Sequence, residues 1–462
     1  MAEPFLIRPH VTRHSRPLMA GAILLFTAGC LPAGPSAVSP EEIPDLERQI
    51  QLEPRNADRM LRYAAALFAA AQCDSATTVA RLGARFAPDH ALAPTVIGQC
   101  MEQASDFDQA IVTYENFVTR YPNAQGVASV RARIMLTRRA RANAVARQAL
   151  AREAELTAEP TDLQAVAVLP LSITGDSIYH PLGRGLAQML MSDLALLQQF
   201  RLVERLQIGA LLGELALAEN TRFDPATTAR VGRLVRAGRM VQGLAVIPPD
   251  ENVSLEANVV LANGEVSPSD GVTGRLRDLL RLEKELVIAI SAQLGYQVSP
   301  AERERILENG TQNLIAFLAY SNGLIAEDLG DYPTAAFHFS QAVQSDPGFT
   351  QAREQYEAAT LAPTVQAATA GDVTTVSAVV VTQPDAPPVP DVVQSAVNSS
   401  VGDVAATQAE QTTQTSQPAQ TSGAQQTSQS TGTSASQPNT TTTSTGTPRT
   451  ITGTIRIIFK LP

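Results

Sequence analysis

Pro54, Pro88 and Pro122 stand at two equal intervals of 34 residues. Equal spacing of that length marks a supersecondary unit repeated along the chain, and such a unit hides its apolar stripe only by stacking on a neighbour. In "DFDQAIVTYENFVTRYP" Ala110 lies four residues before Tyr114, and Ala76 and Ala80 take the same places in the preceding copy. Side chains this small let paired helices approach closely. A further copy, "NGLIAEDLGDYPTAAFHFSQAVQSDP", carries Gly323, Gly330, Ala335, Phe339, Ala342 and Pro347 in matching spacing. Helical hairpins are therefore expected over residues 41–155 and again over 312–360.

The period and these small residues resemble the tetratricopeptide family, although Ala80 stands where that family usually has an aromatic residue. The resemblance implies a concave surface that takes peptides or protein helices; amphipathic hairpins without any ligand satisfy the same pattern. In this register Cys73 opens the second helix of one unit and Cys100 lies in the first helix of the next. Two outcomes stay open for them, a disulfide or a pair of buried thiols.

The apolar run in "LMAGAILLFTAGCLP" follows Arg8, Arg13 and Arg16 and has about half the roughly 20 residues a membrane-spanning helix needs. A basic head, a short apolar segment and a small-residue exit form a secretory leader, expected over residues 1–29. Ala28, Gly29 and Cys30 resemble the end of a bacterial lipobox, with Thr27 in place of the usual leucine. The resemblance implies a lipid on the Cys30 thiol, and Leu31 in place of a retention aspartate implies attachment to the outer membrane, on its periplasmic face. A formal net charge of -10 argues against a nucleic-acid partner.

From residue 164 the texture changes. "QAVAVLPL" is a continuous apolar run that suits a buried strand, and Leu186, Met189, Leu190, Leu194 and Leu197 recur at helical spacing after it. "FRLVER" reads as a strand and "LQIGALLGELALA" as a helix. Asp224 ahead of Pro225 starts another helix. "RMVQGLAVI" and "VSLEANVVLANGEV" read as strands joined to a turn at Asn263-Gly264, and residues 276–294 close with an amphipathic helix ending at Gly295. The order β-α-β-α-α-β-β-α predicts an α/β sandwich with a mixed sheet over residues 164–298. The fold class expected for the whole chain is thus multidomain α and α/β.

"VAVLPL", "GLAQMLMSDLALLQQFRLVER", the connector "LGELALAENTRFDPATTARVGRLVRAGRMVQGLAV" and "NGEV" resemble the curli-secretion component CsgG and its relatives, including the TolB N-terminal type of domain. The resemblance spans roughly residues 164–295 and implies an envelope lipoprotein of secretion or assembly. That family's pore requires two inserted membrane hairpins per subunit, and each membrane strand takes about 9 to 11 residues. Only "IPPDEN" separates Val246 from Val253, and only "VSPSDGVTG" precedes the closing helix. Neither stretch has room for such a hairpin or the alternation of a barrel strand.

Residues 361–448 turn Ala/Pro-rich and then Gln/Ser/Thr-rich, a composition expected to stay disordered. The terminal "TITGTIRIIFKLP" alternates like a strand, and residues 449–462 are expected either to pair with a sheet edge or to hold no fixed structure. Arg131, Arg133, Arg138, Arg139, Arg141, Arg147 and Arg152 gather on one helix, read as a solvated face or as a contact for anionic lipid headgroups. His10, His14, His90, His180 and His338 are scattered without ligand spacing, so no metal site is expected. No nucleophile elbow, phosphate loop or dinucleotide fingerprint is present, and neither catalytic residues nor a cofactor are expected. "GRG" at 183–185 reads as a close start of a helix on the sheet. Glu283 with Glu285, and Asp328 with Asp331, read as solvated helical charges. The expected function is a non-enzymatic, lipid-anchored adaptor that binds envelope proteins through its helical repeats, with association between copies left open. The alternative is a subunit of a CsgG-type secretion channel.

Overall fold

The computed structural model describes residues 36–217, 224–268 and 271–379. The leader over 1–29, Cys30, the polar tail beyond 379 and the terminal strand over 449–462 lie outside the described residues. Helices α1 (Ile43–Leu52), α2 (Ala57–Ala69), α3 (Cys73–Gly83), α4 (Leu92–Gln103), α5 (Phe107–Arg120), α6 (Val127–Ala151) and α7 (Glu153–Ala158) come first. Strands β1 (Asp162–Val168) and β2 (Ser172–Gly175), helix α8 (Leu182–Ala195), strand β3 (Arg201–Leu202), and helices α9 (Arg205–Glu214) and α10 (Pro225–Leu234) follow. Strands β4 (Ala237–Ile247), β5 (Asn252–Leu261), β6 (Val266–Pro268) and β7 (Val272–Arg275) lead into α11 (Leu279–Gln293) and α12 (Pro300–Glu308). The described chain closes with α13 (Leu314–Leu329), α14 (Tyr332–Ser345), α15 (Thr350–Ala367) and the single turn α16 (Val373–Val376).

Short polar side chains start several of these helices: Asn56, Asp106, Asn313 and Asp331 accept from backbone N–H groups of the first turn. Antiparallel neighbours then pack through small residues. A Cβ at Gly98 would run into the Tyr114 ring, and one at Gly323 into Phe339. Ala76, Ala80, Ala110, Ala335 and Ala342 are fully buried at the same helix-helix seams. Helices α2, α4 and α6 lie side by side, backed by α3 and α5.

The sheet interrupts this helical array. Its order is β3-β1-β4-β5-β6, with β2 beside β4 and β7 beside β5. β1 and β2 both run parallel to β4 and form one strand broken at Pro170, whose ring nitrogen has no hydrogen to donate. There Leu171 N–H turns away to donate to Gly183 O at 3.1 Å. A Cβ on Gly183 would overlap the Leu171 carbonyl, so the glycine lets α8 begin against the strand. Alternate residues of β1 feed opposite faces: Val166 and Val168 meet Leu186, Leu190 and Ile290, whereas Ala165 and Ala167 meet Ile208, Leu211 and Val231. Helices thus cover both faces of a mixed sheet.

After the sheet the chain returns to the helices. α13 packs on α8, and α15 lies along α6, so the first and last helical segments form one array with the α/β unit inserted between them. The start of the stretch from residue 361, expected to be disordered, is helical and packed. Leu361 and Val365 of α15 are buried against Ala128 and Ala132 of α6, apolar burial that the composition of the stretch obscures. Residues 370–379 then cross α2 and α4, where Val38 N–H donates to Gly371 O at 2.8 Å and Thr374 Oγ1 donates to Ser36 O at 2.7 Å. Two further differences concern strands. "FRLVER" supplies only a two-residue strand, and β6 and β7 are an added, mostly exposed edge. At Asn263-Gly264 the turn forms with Gly264 at φ +89°, and Leu261 N–H donates to Glu265 O at 2.8 Å.

Candidate functional site

Where the array meets the inserted unit, apolar packing gives way to charge. Arg205, at the start of α9, is 7% exposed; its Nη2 lies 3.1 Å from Glu327 Oε2, and its Nη1 pairs with Asp328. Its Nε donates to Gln188 Oε1 of α8 at 3.0 Å. Arg184 of α8 reaches the same carboxylate, Nε to Asp328 Oδ2 at 2.9 Å. Burial alone would disfavour charge on Arg205, but Asp328 and Glu327 outweigh it and raise its pKa further. Burial raises Glu327 above the usual carboxylate range, partly opposed by Arg205.

Helix α6 extends this layer. Arg138 pairs with Glu115, Arg141 pairs with Asp108 and lies 3.5 Å from Glu204, and Arg139 donates to the carbonyls of Glu327 and Leu329, each at 2.9 Å. Arg131 reaches Glu357 of α15 at 2.7 Å. The basic helix is accordingly a central strut. Four of its six arginines, Arg131, Arg138, Arg139 and Arg141, hold other elements together rather than standing free on a solvated face. Beside the layer a cleft of about 540 Å³ is lined by Arg139, Asn143, Gly209, Gly213, Ile325 and Leu329.

A second buried group ties α8 to α11. Lys284 Nζ lies 2.6 Å from Asp193 Oδ2 and 3.3 Å from Glu283 Oε2. Asn309 Nδ2 donates to the other Asp193 oxygen at 2.7 Å. Burial, reinforced by the negative charge of Asp193, pushes Glu283 well above the usual carboxylate range. The expectation of solvated charges is corrected at two positions: Glu283 is fully buried and Asp328 sits inside the charge layer, whereas Glu285 pairs with Arg281 at the surface and Asp331 caps α14. The signal missed for Glu283 was its neighbourhood, since Leu280, Leu282, Leu286 and Val287 put it on the apolar side of its helix.

Cys73 and Cys100 are disulfide-bonded with Cα atoms 5.4 Å apart, joining α3 to α4. His90 Nδ1 accepts from Leu92 N–H, and His338 contacts Gln341. Among the described residues no group of three or more His, Cys, Asp or Glu side chains is placed to hold a metal ion, and no helix is long and apolar enough to cross a membrane.

A mixed α/β sandwich inserted in a helical array and fixed there by buried ion pairs defines the architectural class. A family model described as "Curli production assembly/transport component CsgG" matches residues 147–271, from the last turn of α6 to the residue before β7. This segment is therefore similar to that secretion and assembly family. No curated protein and no solved structure matches the chain.

Proposed function

We propose that the protein is a non-enzymatic, lipid-anchored component of envelope secretion or assembly, located at the periplasmic face of the outer membrane. It acts there as an adaptor that presents its CsgG-like domain to other envelope proteins. The match over residues 147–271 supports the secretion-family part of this reading. The observation that favours an adaptor over a pore subunit is the tight β4–β5 connection. Strands of 11 and 10 residues pair from Arg239↔Leu261 to Val246↔Ser254, and residues 248–251 close the turn between them. Four residues cannot add two strands of the length a bilayer requires.

The packing of the helices supports a second part of this reading. The inner layer of α2, α4 and α6 is covered by α15 and residues 370–379, so partners meet the remaining surface, and the helices serve chiefly to hold the sandwich. Single-channel recording on the purified chain in planar bilayers tests the reading: no discrete conductance is expected. Stepwise, reproducible openings would replace the adaptor by the transport-component alternative, with copies assembling around a pore. Crosslinking from envelope membranes, comparing the unaltered chain with Cys30→Ala, should recover envelope proteins only from the anchored form.

A further inference from the structure

The arginines that bind inside the molecule leave a different set outside it. Arg55, Arg81 and Arg85 are exposed, and none has an ion-pair partner among the described residues. They alternate with exposed apolar side chains: Leu52 is 76% exposed, Leu82 42% and Phe86 44%. All six belong to one end of the first hairpin. Leu52 and Arg55 flank the turn into α2, and the last turn of α3 lies on the opening of α2, where a Cβ at Gly83 would meet Leu61 at 2.8 Å and Met60 at 3.4 Å. Single exposed leucines are common on protein surfaces, but apolar groups interleaved with unpaired guanidinium groups form the combination suited to a lipid-water boundary.

The chain enters at the same end. Arg62 of α2 donates to Ser36 O and Oγ, and Thr374 holds Ser36 O from the other side. Five residues separate Ser36 from Cys30, six steps of chain that span at most about 22 Å. We propose that this end of the first hairpin, Leu52, Arg55, Arg81, Leu82, Arg85 and Phe86, is a docking surface for an anionic phospholipid bilayer. The arginines meet headgroup phosphates and the apolar side chains enter the boundary beneath them. The inference deepens the lipid-anchor reading of Cys30 and rests on it for its setting. Nearby acids do not cancel the patch: Glu53 is paired with Arg59 at 2.9 Å, and Asp58 and Asp89 line the adjoining cleft with Arg62 and His90. Docking here points α6, about 37 Å long, away from the bilayer at its Gly126 end, so the inserted sandwich is carried off the surface rather than pressed against it.

The chain contains no tryptophan, so one introduced indole is a clean reporter. The full chain carrying Phe86→Trp is coupled through Cys30 to vesicles that bear a maleimide lipid, which supplies the tether whether or not cells acylate that thiol. Brominated phospholipid in vesicles containing phosphatidylglycerol should quench this reporter strongly and a Leu329→Trp reporter, 73% exposed on α13, weakly. Each arginine near an anionic surface is worth about fivefold, so Arg55→Glu/Arg81→Glu/Arg85→Glu should lower the docked-to-free ratio at least about a hundredfold. Raising salt on the chain with its arginines intact should release it likewise, which keeps the test decisive if the triple variant folds poorly. Equal quenching of the two reporters, or quenching indifferent to lipid charge and to salt, overturns the proposal. Absence of quenching at Phe86→Trp, the result a protein occupant in place of lipid would give, overturns it as well. Labelled-palmitate incorporation at Cys30 in cells tests the anchor separately, so either reading can fail alone.

Discussion

Glu283 offers the sharpest test of how the buried charges are arranged. Asp193, Glu283 and Lys284 are 0%, 0% and 1% exposed, which places two carboxyl groups and one lysine side chain out of reach of bulk solvent. With a proton on Glu283 the group is neutral; without it an uncompensated negative charge is buried between α8 and α11. Glu283→Gln keeps the shape of the protonated side chain, so below the unfolded carboxyl pKa it should change stability by less than about 1 kcal/mol. The pKa of Glu283 is raised on folding, so its favourable contribution is complete below the unfolded carboxyl pKa and disappears as pH climbs through the folded value. Between the unfolded and the folded value the unaltered protein loses about 1.4 kcal/mol per pH unit from this group alone, and Glu283→Gln does not. Urea unfolding followed by circular dichroism from about pH 4 to 10 should therefore show the variant gaining on the unaltered chain as pH rises, with the difference levelling off above the folded value. Lys284→Met, which strands the Asp193 charge, should cost about 3–5 kcal/mol, and adding Asp193→Asn should restore most of it. Parallel pH profiles for Glu283→Gln and the unaltered chain would refute the shared-proton arrangement.

The charge layer, the disulfide and the helix seams make separate predictions. Arg205→Met removes the partner of Glu327 and Asp328 and should cost about 3–5 kcal/mol, with faster amide exchange in α9 and α13 as the local readout. Reduction, or Cys73→Ser/Cys100→Ser, opens a crosslink between positions 27 residues apart; a loss of about 3 kcal/mol is expected, seen as a lower melting temperature with reductant that the double variant does not show. Gly98→Ala forces the buried Tyr114 ring to move and should destabilise by about 1–3 kcal/mol in denaturant titrations, with Gly323→Ala doing the same against Phe339.

What the sequence discloses here depends on whether a feature is local. The helical hairpins were legible because Ala76, Ala110 and Ala335 mark close helix approaches at fixed spacing. The core strands were legible because β1 is a continuous apolar run and β5 alternates, with the turn at Gly264 between flanking strands. β6, β7 and the two-residue β3 were not, since short edge strands rest on partners distant in the chain rather than on their own pattern. The charge layer was misread for the same reason. Arg138 and Arg141 lie on one side of α6, but their carboxylates come from residues 108, 115 and 204, and nothing near the arginines announces them. Leu361 and Val365 stand in an alanine-rich background, and the residues they pack on, Ala128 and Ala132 of α6, are distant in the chain.

The insertion also changes what the family-like segment is as a physical object. The match begins inside α6 at residue 147 and ends before β7, yet the face of the sheet that holds Val166 and Val168 is completed by α8, α11 and the helices from α13 onward. Phe317 and Phe339, 46 and 68 residues beyond the end of the match at 271, belong to the same continuous core as Leu186 and Ile290. A segment cut at the limits of the similarity would expose that core and leave Arg184 and Arg205 without Glu327 and Asp328. The sandwich therefore takes its orientation from α6 and α13 through contacts on both sides of it. Among the described residues the helical array and the CsgG-like unit are joined by packed side chains and buried ion pairs.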